Sequence, residues 1–525
     1  MKASSALPVV DGKWRLLKSP HFELFTRNAE KESRGVLYNL EMLRAVFLEQ
    51  LHLEERLHVD VSVFYFRTKR EFDAYVPEGM KGQEHLAGFH LFLPDRAVIS
   101  MAPTEDDEEA QRTIFHEYVH HLFRVTERNP PMWFNEGTAE VLAGIQVVRD
   151  HVEIGAPLEG RTIYLRREKL LPLGELFATE QSPKLFRDET HTGVFYAESW
   201  ALLHFWHFGD SGFSKEAVDR FLSVAADKEA AAKTDLRKYF QSCFGCDYAQ
   251  MESKLRSYIL TGSYRQGKYP MPRIEPAASY SVRNVTAEEI ELRLAELSVR
   301  VAHSPVGRLV LLNAITAHPN DPRPFEVLGT EAYLEKDERE AAQRWEQALA
   351  AGSQNPAVLR ELALMEGRHW FERFDAAFRL PAVSVERLRS RLLQSISLEP
   401  RQGAAYEMLA WVEGFAEVPD ASNINRIIAQ LPSMEDKKRS LIGLSLVMIR
   451  LGKAENAQML LKHLGSLRLD HFEETAASEL RDLLAEKFPD YAVTREGETT
   501  IGSTIAPPPD APQLKMPSVS LPDDL

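Results

Sequence analysis

The segment Thr113–Gly144 constrains the fold of this chain more than any other stretch. Residues 116–120 read His-Glu-Tyr-Val-His, the HExxH pattern, and apolar residues at helical spacing surround it. On a helix, positions i and i+4 lie on one face, so His116 and His120 can present two imidazoles to one metal ion. Glu117 lies one step round the helix, from where it can take a proton from a metal-bound water.

A second predicted helix, which begins at Met132, offers a third ligand. Fifteen residues (positions 121 to 135) separate His120 from Glu136. This is enough for one helix to end and another to begin. Catalytic zinc sites usually combine three protein ligands with one open position, and a carboxylate from this helix fits that requirement. Glu140 lies on the same helix face as Glu136 and can accept a hydrogen bond from the outer nitrogen of a ligand histidine.

Together, HExxH and the later W-x-N-E-G-x-A-E element resemble the gluzincin metallopeptidases of the peptidase-MA type. The resemblance implies a zincin-like catalytic domain with zinc ligands His116, His120 and Glu136. It also implies Glu117 as the general base and Glu140 as the carboxylate behind a ligand histidine. The gap between the second histidine and the glutamate is shorter than in the aminopeptidase branch, so the exopeptidase specificity of that branch is not implied.

A strongly apolar helix is predicted over residues 194–204, and a similar helix follows the ligand glutamate in proteins of this kind. A metallopeptidase needs a hydrogen-bond donor for the oxyanion that forms during peptide hydrolysis. Tyr196 is the first candidate for this donor and His204 is the second. The alternative for both residues is packing in the core.

Strand and helix patterns make the N-terminal part α+β, with a small mixed sheet beside the active-site helices. In gluzincin-like folds an extended substrate commonly adds to the edge strand of the sheet, and Arg96–Met101 is the candidate by resemblance. An inner strand is the alternative. The other predicted elements are extended segments at 14–27, 59–65, 87–93, 97–101 and 161–166, helices at 36–51 and 69–75, and a hairpin at 146–155.

From about Ala287 onward the pattern becomes helix after helix. Residues 321–356 match a tetratricopeptide repeat (TPR), and looser pairs follow around 388–414 and 439–464. The curved surface of such an all-α repeat domain usually binds a protein or peptide, although a helical subdomain that only supports the catalytic part is the alternative. The predicted boundaries are a leader (1–13), a catalytic domain (14–261), a linker (262–286), TPR-like repeats (287–490) and a disordered proline-rich tail (491–525).

Composition narrows the class of protein. A net charge of −15 argues against nucleic-acid binding, and 44% hydrophobic with 27% charged residues is typical of soluble globular proteins. No apolar stretch is long enough for a membrane span. As written, the N-terminus has no signal peptide, which predicts a cytoplasmic protein, or an exported one if that end is incomplete. Cys243 and Cys246 are predicted to be structural residues near a turn, with a disulfide as the alternative.

These observations predict a zinc metallopeptidase. Its Zn²⁺ would activate a bound water, Glu117 would accept the proton, and a peptide or protein would be the substrate. The alternative is a protein-interaction scaffold in which the repeats bind a partner and the metal site is catalytically silent. The substrate and the cleavage position do not follow from the sequence.

Overall fold

The computed structural model divides the chain into two compact units, Met1–Ala317 and His318–Leu525. Every described strand lies in the first unit, while the described part of the second is helical, so the chain is α+β. Most of the predicted leader and almost all of the predicted tail lie outside the described residues. The structure describes residues 7–8, 12–81, 86, 88–103, 107–178, 189–226, 231, 234–371, 373–434, 436–467 and 469–493.

A six-stranded mixed sheet forms one layer of the first unit. Its strands are β1 (Arg15–Lys18), β2 (Phe22–Thr26), β3 (Val61–Tyr65), β4 (Gly88–Phe92), β5 (Ala97–Met101) and β9 (Ser281–Asn284). Their order is β4-β5-β3-β2-β1-β9, in which β2, β3 and β5 run parallel and the others pair antiparallel. All residues of β3 and β5 are buried, as expected for inner parallel strands that are covered on both faces.

The edge of this sheet is not where the family resemblance places it. The candidate by resemblance, Arg96–Met101, is wrong and the alternative of an inner strand is confirmed, because β5 pairs with β3 on one side and with β4 on the other. A turn, closed by a 3.0 Å hydrogen bond from the Leu93 amide to the Arg96 carbonyl, folds the chain back and leaves β4 at the edge. Both strands are short apolar runs beside one turn, so their composition does not distinguish inner from outer.

Four helices of the N-terminal part agree with the sequence patterns. They are α1 (Glu30–Leu51), α2 (Lys69–Asp73), α3 (Asp107–Val125) and α4 (Met132–Ala143). Helix α1 buries Leu37, Leu40, Leu43 and Phe47, the stripe at helical spacing that predicts it. The apolar residues of α1, α3 and α4 join those of the sheet in one core, which packs α3 and α4 against the sheet.

A second sheet has three strands, β6 (Gln146–Val148), β7 (His151–Ile154) and β8 (Gly267–Pro270), in the order β6-β7-β8. The hairpin predicted at 146–155 is therefore confirmed. The segment 262–286, which the sequence presents as a linker, supplies β8 to this sheet and β9 to the larger one. Both strands are short, and their register depends on partners more than 100 residues away, so no local pattern announces them.

The extended segment predicted at 161–166 is wrong, since these residues belong to helix α5 (Glu159–Arg167). Ile163 and Leu165 suggest alternation in the sequence, but Ile163 is exposed. Thr162 and Leu165 are buried instead. Thr162 and Leu165 are three residues apart, which places them on one face of a helix. Because Thr162 is polar, this spacing does not appear in the pattern of apolar residues.

Further helices complete the first unit. They are α6 (Leu173–Phe177), α7 (Glu189–Phe208), α8 (Lys215–Ala225), α9 (Leu236–Phe244), α10 (Tyr248–Thr261), α11 (Ala287–Ala302) and α12 (Pro305–Ala317). The sequence assigns α11 and α12 to the repeat domain, but the first compact unit extends to Ala317 and includes both. Cys243 and Cys246 lie beside the α9–α10 turn as buried thiols that form no disulfide bond.

The second unit packs helices side by side along the chain. Its helices are α13 (Arg323–Leu334), α14 (Glu338–Ala350), α15 (Pro356–Trp370), α16 (Ala382–Leu398), α17 (Gly403–Phe415), α18 (Ala421–Gln430), α19 (Lys438–Arg450), α20 (Ala454–Ser466) and α21 (His471–Lys487). In the first pair, Gly329 makes room for the indole of Trp345, because a Cβ at Gly329 would lie 2.4 Å from Cδ1 of Trp345. None of the described helices combines the length and apolar character of a membrane span.

Candidate metal centre

Helices α3 and α4 bring three potential ligand atoms together. The Nε2 atoms of His116 and His120 are 3.2 Å apart. Oε2 of Glu136 lies 3.2 Å from Nε2 of His116 and 3.3 Å from Nε2 of His120. The three residues predicted as zinc ligands therefore form a nearly equilateral triangle of donor atoms.

The size and chemistry of this triangle suit a zinc ion. Ligand atoms at about 2.0–2.1 Å from a tetrahedral zinc are separated by about 3.3 Å, which matches all three sides. Two imidazoles and one carboxylate are common zinc ligands. Among the described residues, His116, His120 and Glu136 form one of the groups that could hold a metal ion, since their ligand atoms all lie within 4.8 Å of one another. The residues present therefore fit the metal that the sequence resemblance implies.

The charges in this cluster support one another. Burial raises the pKa of Glu136, but the adjacent His116 and His120 outweigh this effect and lower it to about 2. Burial lowers the pKa of His120, but Glu136 and Asn135 more than compensate, so it is raised above its usual value. The carboxylate at the centre of the site is therefore ionised at every physiological pH, as a metal ligand must be.

The outer nitrogens of the two histidines have different partners. Nδ1 of His120 lies 2.8 Å from Oδ1 of Asn135, and Nδ1 of His116 lies 3.6 Å from Oε1 of Glu140. The predicted role of Glu140 is thus geometrically available toward His116, while Asn135 serves His120. The contact with Asn135 has hydrogen-bond length, so it favours a proton on Nδ1 of His120 and leaves Nε2 as the nitrogen that can bind a metal.

Two of the residues around the site were missed by the sequence interpretation. Asn135 directly precedes Glu136, and its place in the N-E-G element is the signal that could have identified it. Arg161 donates to both carboxylate oxygens of Glu140, from Nη2 at 2.6 Å and from Nε at 3.3 Å. The sequence interpretation missed Arg161 because it predicts an extended segment here, whereas helix α5 places the Arg161 side chain beside Glu140.

An open cleft of about 810 Å³ lies beside the ligands. Glu117 and His116 line it from α3, and Tyr196 lines it from α7. The general base predicted from HExxH is therefore accessible from the cleft and adjacent to the metal centre. The remaining lining residues are Arg112, Thr113, Glu140, Ala143, Leu158, Glu159, Gly160, Arg161, Tyr164 and Gly193.

Tyr196 is brought to the site and His204 is not. The ring of Tyr196 lies 6.2 Å from that of His116, and burial together with nearby carboxylates raises its pKa to about 12, so its hydroxyl remains a donor. His204 is fully buried in the core, where its Nδ1 and Nε2 lie 2.7 Å from the hydroxyl of Tyr258 and from the carbonyl of Gly155. The second candidate for the oxyanion donor is therefore a core residue.

The edge strand β4 lies along helix α3. A Cβ at Gly88 would lie 2.3 Å from Cδ1 of Ile114, so glycine permits this close approach. Nε2 of His90 lies 3.3 Å from Nδ1 of His121. Burial lowers the pKa of both imidazoles, that of His121 to about 3, so this pair joins strand and helix as neutral groups.

Comparisons with known proteins give no activity. No family model matches the chain. Part of it is similar to the Bacillus subtilis (strain 168) protein that bears the name "Uncharacterized protein YhcO", with 24% identity over 246 residues. The matched region covers 43% of this chain and 67% of that protein.

Proposed function

We propose that this protein is a zinc-dependent metallopeptidase whose first unit is a zincin-like catalytic domain. One observation supports this proposal above the others: three donor atoms separated by 3.2–3.3 Å lie beside Glu117. Glu117 and His116 also line an open cleft. A purely structural zinc site is normally closed by four protein ligands, whereas a catalytic site keeps one position accessible.

His116, His120 and Glu136 would hold the ion, which when bound acidifies a water molecule and polarises the substrate carbonyl. Glu117 accepts a proton from the attacking water and later delivers it to the leaving amine. Asn135 and Glu140 hold the ligand histidines in their binding tautomer. The protonated Tyr196 hydroxyl donates to the oxygen that acquires negative charge.

The edge strand supports a peptide as the substrate. Each residue advances about 100° around an α-helix, so Glu117 lies about 100° from His116, and His121 about 140°. His121 contacts β4, and Glu117 therefore lies between the ligand face of α3 and the edge strand. Among the described residues no strand pairs with the outer side of β4. Its backbone groups can bind an extended peptide that crosses the cleft.

The helical second unit would supply a surface for a protein substrate or partner, since stacked helix pairs commonly bind extended segments. The competing proposal is a scaffold whose metal site is silent. Its strongest support is the size of the helical unit, which extends from His318 toward the C-terminus. The two proposals differ in the requirement for Glu117, because a scaffold needs no general base.

The decisive variant is Glu117→Gln, which preserves size and removes the basic carboxylate. Wild type and variant are assayed for bound zinc by elemental analysis and for cleavage of denatured casein. We expect zinc in both proteins and cleavage by wild type alone, with a loss of at least about 10²-fold in the variant. Equal cleavage by both would exclude Glu117 as the base, and zinc without cleavage in either would favour the scaffold.

A further inference from the structure

Four charged side chains are buried where the β4–β5 turn meets helix α11. Asp95 and Arg96 belong to the turn, and Glu296 and Arg300 belong to the helix. All four residues are at most 7% exposed. Arg300 donates two hydrogen bonds to the carboxylate of Asp95, at 2.9 and 2.6 Å. Oε1 of Glu296 lies 3.4 Å from Nε of Arg300 and 3.8 Å from Nε of Arg96.

The same cluster continues into the sheet. Nη1 of Arg96 donates to Oε1 of Glu23 on β2 at 3.2 Å and to Oγ of Ser62 on β3 at 3.4 Å. Nη2 of Arg96 donates to Oδ2 of Asp60 at 3.3 Å. The turn is therefore held from two sides, by the sheet through Arg96 and by α11 through Asp95.

Such a cluster fixes geometry more than it adds stability. Removing four charges from water is costly, and apolar side chains of similar volume often stabilise a core equally well or better. A bidentate arginine–carboxylate pair instead defines both distance and direction. Asp95 lies only three residues after Phe92, the last residue of β4, so the direction of the turn determines where the edge strand lies on α3.

We propose that Asp95, Glu296 and Arg300 are positioning residues that hold the edge strand β4 in register with the cleft for pairing with an extended peptide. The proposal depends on the peptidase function proposed above. It makes α11, which begins 186 residues after the end of β5, part of the substrate-binding architecture. None of the three residues lines the cleft, so their effect reaches the substrate through the position of β4.

The test uses the full chain with Asp95→Leu and Arg300→Met combined, since a single substitution would leave one charge buried and unpaired. Backbone hydrogen exchange is measured over residues 88–92, and KM and kcat are measured with denatured casein. We expect exchange in 88–92 to accelerate by about tenfold or more, because the strand loses its anchor. We expect KM to rise about tenfold with kcat within about twofold, and bound zinc to remain at the wild-type level.

The matched control combines Arg283→Met with Glu289→Gln. This bidentate pair, with distances of 2.7 and 2.6 Å, joins the same helix to β9 instead of the hairpin. We expect wild-type exchange in 88–92 and wild-type KM from this control.

Unchanged exchange in 88–92 of the Asp95→Leu and Arg300→Met protein would overturn the positioning of β4. Faster exchange with an unchanged KM would overturn the link to the substrate. A failure of the peptidase function is recognised separately, because wild type itself would then not cleave casein. In that case the exchange measurement alone would decide whether α11 holds the edge strand.

Discussion

At the scale of single residues, the sequence predicts what lies close along the chain. His116 and His120 share a helix, Glu136 lies on the next helix, and all three meet as predicted. Arg161 reaches Glu140 from a helix that the pattern of apolar residues does not reveal. For His204 the alternative of packing in the core is the one that the structure supports, because both ring nitrogens are bonded within the core.

Glu198 is a buried acid that the proposed chemistry does not use. It is fully buried on α7, and its Oε2 accepts a 2.7 Å hydrogen bond from the amide of Leu171. Burial raises the pKa of its carboxyl group from 4.5 to about 8. The folded protein therefore keeps the carboxyl protonated at neutral pH, whereas the unfolded chain releases that proton.

The consequence is a pH-dependent stability. Between pH 4.5 and about 8 the folded state binds one proton more than the unfolded state at Glu198, so this residue's contribution falls as pH rises. The slope is about 1.4 kcal/mol per pH unit. In Glu198→Gln this contribution disappears, and the variant should gain stability relative to wild type as pH rises from 5 to 8. Chemical denaturation of both proteins across this range tests it, and parallel curves would contradict it.

At the scale of elements, long amphipathic patterns are more informative than short ones. The stripe of α1 and the HExxH helix α3 are evident in the sequence. The edge position of β4 and the helical nature of α5 are not. Both depend on contacts with distant elements: the pairing of β5 with β3, which leaves β4 at the edge, and the burial of Thr162 and Leu165. Short segments carry too few residues to define a period against such contacts.

Helices α4 and α7 approach each other closely at Gly137. A Cβ there would lie 2.6 Å from the carbonyl oxygen of Ser199 and 2.6 Å from Cδ1 of Leu203. The glycine next to the ligand Glu136 therefore allows α4 to pack directly on α7, which carries Tyr196. The backbone carbonyl at Ser199 cannot move away as a flexible side chain can.

We therefore expect Gly137→Ala to destabilise the first unit by about 1–3 kcal/mol and to weaken zinc retention, because α4 must shift. The control is Gly35→Ala in the second turn of α1, where no neighbouring side chain or other element lies within 4 Å of the added Cβ. Alanine should stabilise that helix by up to about 1 kcal/mol. Chemical denaturation and zinc content measure both effects. Equal behaviour of the two variants would show that the α4–α7 contact is not tight.

At the scale of the whole molecule, the sequence indicates an α+β part followed by a helical part, but not the boundary between the two compact units at Ala317. The change to continuous helix near Ala287 is real, yet α11 and α12 belong to the first unit. The salt bridge between Arg300 and Asp95 shows why, since 205 residues separate its partners. No periodicity within α11 distinguishes a helix that packs on the sheet from one that packs on a repeat.

If His116, His120 and Glu136 form a zinc site, the amount of zinc bound per chain must depend on Glu136. Wild type, Glu136→Ala and a control, Glu49→Ala at an exposed position of α1, are incubated with excess zinc, dialysed and measured by elemental analysis. Loss of one of three ligands reduces affinity strongly, so we expect about one zinc ion per chain in wild type and control and little in Glu136→Ala. Wild type without zinc, or full zinc retention in Glu136→Ala, would exclude a zinc site formed by these three residues.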